Sequence, residues 1–314
     1  MKGDRALVPD ADFRSYYGRP ILKPPAWKEP DVPLYLFLGG VAGASSVLAE
    51  GAAAAELPAL RRVARLSAAT GAGLGTIALI HDLGRPMRFL NMLRVVKPTS
   101  PLSVGTWILS PFAAFASAAA ASEVTGIAPR LGRLAGVGAA FFGPPLSTYT
   151  AALLCNTAVP SWHEAHREMP FLFAGSASAA AGGLAMTLVP VDQAGPARRL
   201  AAVGAALELG ATEVMEHNLG PLLAEPYQQG RPGRLLRAAR ALTIAGGIGS
   251  VVAGRSRVLS ALSGVALMGG SVLTRFGVYG AGVASTKDPK YVVIPQRERL
   301  DRRLAGVADG HAGS

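Results

Sequence analysis

Long apolar stretches alternate with short polar loops along most of the chain. Three of these stretches carry no charged residue, over residues 98–122, 134–162 and 169–191. About twenty apolar residues are enough for an α-helix to cross the hydrocarbon core of a bilayer. The pattern therefore predicts an all-α integral membrane protein and excludes an ordinary water-soluble domain.

Eight membrane-spanning helices are predicted, at residues 32–54, 63–83, 103–123, 134–157, 169–190, 197–217, 235–254 and 258–282. Their interiors are rich in Gly, Ala and Ser, which let helix backbones approach closely in lipid. In the fourth span, Gly143-Pro144-Pro145 lacks two backbone donors and is predicted to kink or break the helix. Spans two and seven are the weakest predictions, because arginines such as Arg65 and Arg240 intrude on their ends.

The composition agrees with a helical bundle in lipid, since 50% of the 314 residues are apolar and only 16% are charged. The formal net charge is +11. Because Lys and Arg lie in loops and tails without interleaved aromatic residues, we attribute this charge to topology and partner docking and predict no nucleic-acid binding. The single cysteine, Cys155, excludes an internal disulfide and a cysteine-ligated cluster. Residues 1–31 lack the apolar core of a secretory leader.

An even number of spans places both termini on the same face of the membrane. The loops and tails of that face carry 21 Lys and Arg residues, against 9 on the opposite face. The positive-inside rule then favours cytoplasmic termini in a prokaryotic plasma membrane. A basic face could also serve an acidic protein partner.

Two polar loops on the terminus-bearing face stand out. The second loop begins with His81, Asp82 and Arg85, and the fourth contains Trp162 and His163. Each is either an interfacial loop held by ion pairs or a functional site. No metal site is predicted, because His163 and His166 lack a convergent third ligand. Haem is not predicted either, because no histidine pair lies at mid-membrane depth.

Carboxylates within the spans are costly unless they are paired, protonated or exposed to water. Glu208 lies near the middle of span six, with Glu213 one step closer to the terminus-bearing face, and Glu50 lies near the end of span one. Such groups either carry protons or form hydrogen bonds that fix helix packing. Tyr149, just after the two prolines, needs a hydrogen-bond partner. A neighbouring helix or a quinone carbonyl would supply one.

Five motifs of this sequence are considered together: DLGRP at residues 82–86, FLNML at 89–93, KPTSPLSVGTW at 97–107, YTA at 149–151 and WHE at 162–164. Together they resemble the NrfD family, which includes the membrane subunit of polysulfide reductase. The resemblance implies a quinone-interacting subunit of eight transmembrane helices in two four-helix bundles, with no redox cofactor of its own. It divides the chain into an N-terminal interfacial arm (1–31), a first, quinone-binding bundle (32–160), a second bundle (161–282) and a C-terminal basic tail (283–314).

The resemblance also implies partners. The membrane subunit would dock a four-cluster ferredoxin-type iron–sulfur subunit that is wired to a molybdopterin catalytic subunit. Electrons would pass to or from menaquinone or ubiquinone as an exchangeable substrate, and the chain itself would contain no haem, iron–sulfur cluster or catalytic residue.

Site residues follow from the matched motifs and from the polar groups described above. The expected quinone-binding residues are Tyr149, His81, Asp82, Arg85 and Tyr35, the last aligned where some relatives have a histidine. The expected proton-transfer residues are Glu208, Glu213 and Glu50. Those expected to dock the partner are Arg88, Arg94, Lys97, Trp162, His163 and Glu164.

Two other functions compete with this interpretation. A secondary transporter would use a broken span four and a midplane carboxylate, Glu208. Against it, the two halves of the chain show no internal repeat. A purely structural anchor would need neither a quinone nor a proton role.

Overall fold

The computed structural model describes residues 21–85, 87–254 and 256–300. Within these ranges the chain is helical and has no strand. Residues 290–300 form a further helix, called the tail helix, that continues to the last described residue. The other helices are α1 (Asp31–Ala54), α2 (Pro58–Leu83), α3 (Met87–Arg94), α4 (Pro101–Thr125), α5 (Pro129–Cys155), α6 (Pro160–Glu164), α7 (Met169–Leu188), α8 (Gly195–Gln228), α9 (Gly230–Val252) and α10 (Arg257–Lys287).

Six of the long helices are apolar enough to cross a membrane, namely α1, α2, α4, α7, α9 and α10. The chain is thus a multi-pass membrane protein. The weakly predicted spans two and seven correspond to α2 and α9 and belong to the six. Neither α5 nor α8 does, because α5 contains two prolines and several hydroxyl side chains, and α8 carries Glu208, Glu213 and Glu216 within one stretch.

The long helices pack in two groups. In the first group α1 packs on α2 and α5, and α4 packs on α2 and α5. In the second, α7 packs on α8 and α10, and α9 packs on the same two helices. The groups meet where α7 contacts α1 and α5, and where α10 contacts α1.

Successive long helices run in opposite directions, which gives the bundle two ends. The terminal face is the end at which α1 begins and α10 finishes. It carries α3, α6 and the tail helix. The opposite face holds the short connections 55–57, 126–128 and 189–194, together with residues 253, 254 and 256.

A break in span four is wrong, because α5 stays helical through Pro144 and Pro145. Hydroxyl groups of the following turn, from Ser147 and Thr148, donate to the carbonyls of Gly143 and Pro144 at 3.1 and 2.9 Å. The backbone instead departs from helical geometry in α8, at Gly220, whose φ of 67° favours glycine.

Candidate functional sites

A short segment, residues 27–31, runs across the terminal face and joins the two helix groups; we call it the crossing segment. The Lys28 N–H donates to Asp82 Oδ1 at 2.8 Å at the end of α2. The Trp27 carbonyl accepts from the Tyr279 hydroxyl of α10 at 2.8 Å. Glu29 forms an ion pair with Arg231 of α9 at 2.7 Å. The start of α1 is therefore fixed to both groups.

Three expected quinone residues lie beside this segment. The exposed His81 places Nδ1 2.7 Å from Asp31 Oδ2. Asp82 receives the backbone bond from Lys28, and Arg85 follows on the exposed surface after Gly84, whose left-handed φ of 69° ends α2. Within the described residues, Asp82 and Arg85 form no ion pair with each other. Asp82 and His81, both near the end of α2, thus hold the crossing segment through Lys28 and Asp31.

Tyr149 lies on α5, where its half-buried ring packs against Gly105 of α4. A Cβ at Gly105 would fall 2.1 Å from this ring, so the glycine makes room for it. The Tyr149 hydroxyl forms no hydrogen bond with any residue that the structure describes. Nor does a hydrogen bond within that part of the chain link Tyr149 to His81 or Asp82. Its donor is available to an additional group.

Tyr35 is buried on the α2 side of α1. Its ring carbon Cδ2 would lie 3.8 Å from a Cβ at Gly75 of α2. Tyr35 belongs to a buried apolar cluster that extends through both groups, and Tyr149 packs against this cluster from α5.

Trp162 is fully buried, although it was expected at the docking surface. Its Nε1–H donates to the Val278 carbonyl at 2.8 Å, and its ring stacks on Trp27 with centroids 5.9 Å apart. A Cβ at Gly282 would fall 1.9 Å from the ring. Within this chain Trp162 is a packing residue that locks α6, α10 and the crossing segment together. The sequence could not show this, because the contacts join distant segments.

Three basic residues expected to dock a partner remain on the surface. Arg88, Arg94 and Lys97 are exposed on α3 and just after it. The helix buries none of its residues, and Met87 and Leu90 are also exposed. This corner of the terminal face therefore combines positive charge with accessible apolar side chains.

The other two expected docking residues, His163 and Glu164, lie on α6 beside the tail helix. Glu164 forms an ion pair with Arg299 at 3.2 Å. The exposed His163 places Nδ1 3.1 Å from the Cys155 carbonyl. Both residues line a cavity of about 200 Å³ between α6, α8 and the tail helix.

The tail helix is also held at its first turn. Lys290 Nζ lies 2.7 Å from Glu225 Oε2, which accepts from the Tyr291 hydroxyl at 3.1 Å. The hydrogen bond with Lys290 lowers the pKa of the Glu225 carboxyl, and that with Glu225 raises the pKa of Lys290. Burial is the main cause of the raised pKa of Tyr291.

Glu50 belongs to an ion-pair cluster near the opposite face. Arg65 contacts Glu50 Oε1 at 2.8 Å and Glu123 Oε2 at 3.2 Å. Arg61 adds a second guanidinium to Glu123 at 3.0 Å. The sequence had marked Arg65 as an intrusion into span two, but it is 6% exposed and joins α1, α2 and α4. Its spacing of four residues from Arg61, which places both on one face of α2, was the available signal.

Glu208 lies in a different environment in the second group. It is 3% exposed, and Oε1 accepts from the Thr274 hydroxyl of α10 at 2.7 Å. Its other oxygen, Oε2, is buried without a hydrogen-bond partner among the described residues. No ion pair with Glu208 occurs in that part of the chain.

A cavity of about 280 Å³ connects Glu208 with the terminal face between α7, α8, α9 and α10. Thr243 and Thr274 line its inner end. Toward the terminal face it is lined by Glu216 and Arg240, and Arg240 pairs with the exposed Glu213. Glu208 thus lines the cavity itself and Glu213 lies beside it, paired with Arg240, whereas Glu50 lies in the other group.

Arg275 is a buried charged residue that was not among the residues expected to bind quinone, transfer protons or dock a partner. It is fully buried in α10, with its guanidinium 3.6 Å from the Phe173 ring centroid and Nη2 donating to the Phe173 carbonyl at 2.9 Å. Nε and Nη1 find no acceptor in the described residues. The signal was a lone arginine inside span eight, since such residues are costly in a membrane.

A model of the NrfD family, described as "Polysulphide reductase, NrfD", matches residues 26–203. This match covers more than half of the chain, which therefore belongs to the NrfD family, and the resemblance inferred from the motifs is confirmed. Membership makes the chain a membrane subunit of an oxidoreductase complex. The matched range includes the second and fourth loops and Tyr149, and it ends before Glu208. No curated protein matches the chain.

Proposed function

We propose that this chain is the quinone-interacting membrane subunit of a multi-subunit oxidoreductase, with eight spans arranged as two four-helix bundles. In this proposal α5 and α8 complete the set of membrane helices. Residues 32–160 form the quinone-binding bundle, residues 161–282 the second bundle, and residues 1–31 and 283–314 the arm and the tail. Family membership and the two packed groups of four helices support this arrangement.

The observation that carries the proposal is the hydroxyl of Tyr149. A phenol within a bundle needs a hydrogen-bond acceptor, and this one has none within the described part of the chain. A quinone carbonyl is such an acceptor. The ring is fixed against Gly105, so the hydroxyl is held in place for a ligand of menaquinone or ubiquinone type.

Reduction of a quinone takes up two electrons and two protons, so both must reach the head group. Electrons pass between the head group and a docked four-cluster ferredoxin-type subunit, which is wired to a molybdopterin catalytic subunit. The exposed Arg88, Arg94 and Lys97 offer positive charge and apolar contact for docking on the terminal face. That face lies on the cytoplasmic side of a prokaryotic plasma membrane, as its excess of Lys and Arg favours.

His81 and its partner Asp31 provide a proton-exchanging pair at the surface near the first bundle. In the second bundle, Glu208 and the cavity that leads to Glu216 and Arg240, the partner of Glu213, provide a route for protons into the membrane interior. The unpartnered Oε2 of Glu208 supports this role, because a carboxyl oxygen without a fixed partner can bind water or a proton.

The direct test is Tyr149→Phe in the complete complex. We expect quinone-coupled turnover to fall by about 100-fold, within the range typical for loss of an acid–base group. Assembly, measured by co-purification of the partner subunits, should be unchanged.

Tyr279→Phe is the matched control, because it removes a phenol that is already bonded to Trp27. This variant should lose about 1 kcal/mol of stability and keep turnover. Unchanged turnover in Tyr149→Phe would remove this tyrosine from the mechanism.

A secondary transporter is the second candidate, and the unpaired Glu208 at the inner end of a cavity favours it. Reconstitution of the isolated chain in liposomes separates the two functions. Solute-driven proton movement that is lost in Glu208→Gln, without any partner subunit, would support transport.

A further inference from the structure

A cavity of about 390 Å³ opens on the opposite face, where α2, α4 and α5 meet. Three arginines line it, with Glu123 and a turn of small residues completing the wall. The arginines are Arg61 and Arg65 of α2 and Arg133 of α5. This cavity lies at the end of the bundle away from Tyr149 and from the terminal face.

The charges around the cavity are unequal. Glu123 is shared between Arg61 and Arg65, and Arg65 also reaches Glu50. Arg133 is exposed and has no carboxylate partner in the described ranges. Arg65 is 6% exposed, yet its Nε–H is buried without an acceptor in those same ranges. The cavity wall thus keeps one unpaired cation and one unpaired guanidinium donor.

The first turn of α5 adds to the positive potential. This helix of 27 residues begins at Pro129, which lines the cavity, and its N-cap residue, Ala128, provides no side-chain bond. The N-terminus of a long helix carries a partial positive charge and unsatisfied N–H groups that favour anions.

An apolar strip lies directly beside the cavity on the outer surface of α5. Leu131, Leu134, Val137 and Phe141 are 66%, 68%, 59% and 74% exposed. Their spacing of three or four residues puts them on the same side of the helix. The strip begins at the depth of Arg133 and runs toward the middle of the membrane.

We propose that this cavity binds the phosphate group of an anionic membrane lipid, with the acyl chains along the strip on α5. Arginines recognise phosphate oxygens through paired N–H bonds, and basic pockets between membrane helices bind lipid head groups in this way. The apolar strip distinguishes a lipid from a free phosphate, because only a lipid occupies both surfaces. Arg133 is the principal cation of the site.

The test compares Arg133→Gln with Arg62→Gln in the full-length purified chain. Arg62 is an exposed arginine near the same face that does not line the cavity, and it is therefore the matched control. Native mass spectrometry with added phosphatidylglycerol gives the dissociation constant of bound lipid. Thermal unfolding without lipid verifies that both variants fold.

We expect Arg133→Gln to weaken phosphatidylglycerol binding by about tenfold, as loss of a charged hydrogen bond does. Arg62→Gln should bind within about twofold of the unchanged chain, since distant surface charges are screened. Equal losses in both variants would overturn the proposal. So would displacement of the lipid by millimolar inorganic phosphate with an Arg133-dependent affinity, because the site would then hold free phosphate.

Discussion

Each helix group contains acidic residues within its helices, but the two groups neutralise them differently. In the first group, Glu50 and Glu123 are joined to Arg61 and Arg65 in a cluster with contacts of 2.8 to 3.2 Å. In the second, one oxygen of Glu208 accepts a hydrogen bond from the Thr274 hydroxyl, and the residue lines a cavity. In the first group each of these carboxylates is paired with at least one arginine. In the second, Oε2 of Glu208 has no hydrogen-bond partner among the described residues.

This difference bears on which carboxylate can exchange protons. Protonating Glu50 or Glu123 would remove one of the two carboxylates that compensate the buried Arg65, which is unfavourable. Protonating Glu208 keeps the Thr274 bond and breaks no ion pair, but it removes the negative charge that interacts with the buried Arg275. Of the three expected proton-transfer residues, only Glu208 lines a cavity without an ion pair in the described residues, whereas Glu213 pairs with Arg240 and Glu50 with Arg65. Their role in proton transfer stays a prediction.

The largest effect is expected from Arg65→Met, which breaks the cluster of the first group. Two carboxylates would lose their shared cation, and we expect a loss of about 3–5 kcal/mol in the free energy of unfolding. Denaturant unfolding in detergent measures this loss. Arg62→Met, on an exposed side of the same helix, should change stability by less than about 0.5 kcal/mol. A small effect at Arg65 would mean that the cluster contributes little.

Replacing one glutamate by glutamine in each group compares the stability that the two carboxylates contribute. Glu123→Gln should cost about 2–3 kcal/mol, because it removes the charge that two arginines share. Glu208→Gln should stay within about 1 kcal/mol, because an amide oxygen still accepts from Thr274. Unfolding of both variants in the same detergent decides the order. The reverse order would contradict our distinction between the two sites.

A smaller effect is expected from Thr274→Val. This change keeps the side-chain shape but leaves both oxygens of Glu208 without a partner, at a cost of about 1–2 kcal/mol. Thr212→Val is the control, since the Thr212 hydroxyl bonds only to the Glu208 carbonyl of its own helix. Thermal unfolding should separate the two variants, and equal melting temperatures would show that the bond to Glu208 is dispensable.

The smallest effect concerns a carboxylate outside the spans, Glu225. Its pKa is lowered in the folded chain, so its contact with Lys290 stabilises the docked tail helix above the unfolded pKa of about 4.3 and is lost as pH falls through the lower folded value. The raised pKa of Lys290 sets the upper limit of the same window. Proteolysis of the tail should therefore accelerate at acid pH. In Glu225→Gln this acceleration should be weaker, and an identical profile would exclude the contact as its cause.

The sequence predicted the positions of the helices well, because membrane spans depend on local composition. Span eight was placed at residues 258–282, and α10 covers Arg257–Lys287. Partners of polar residues were predicted poorly, because they depend on which helices become neighbours. Arg65 was read as an intrusion and is the centre of a cluster, and Trp162 was read as a surface residue and is buried. The break expected at Pro144 lies instead at Gly220, where a positive φ ends the regular helix.

The crossing segment also sets an order for biogenesis. Its contacts on α9 and α10 are made by Arg231 and Tyr279, which the ribosome adds about two hundred and two hundred and fifty residues after Trp27. The contacts of the crossing segment with the second group therefore form only after α9 and α10 have been synthesised. Fixing the crossing segment to the second group is a late step of folding. A truncated chain that stops before α9 lacks both Arg231 and Tyr279 and cannot form these contacts.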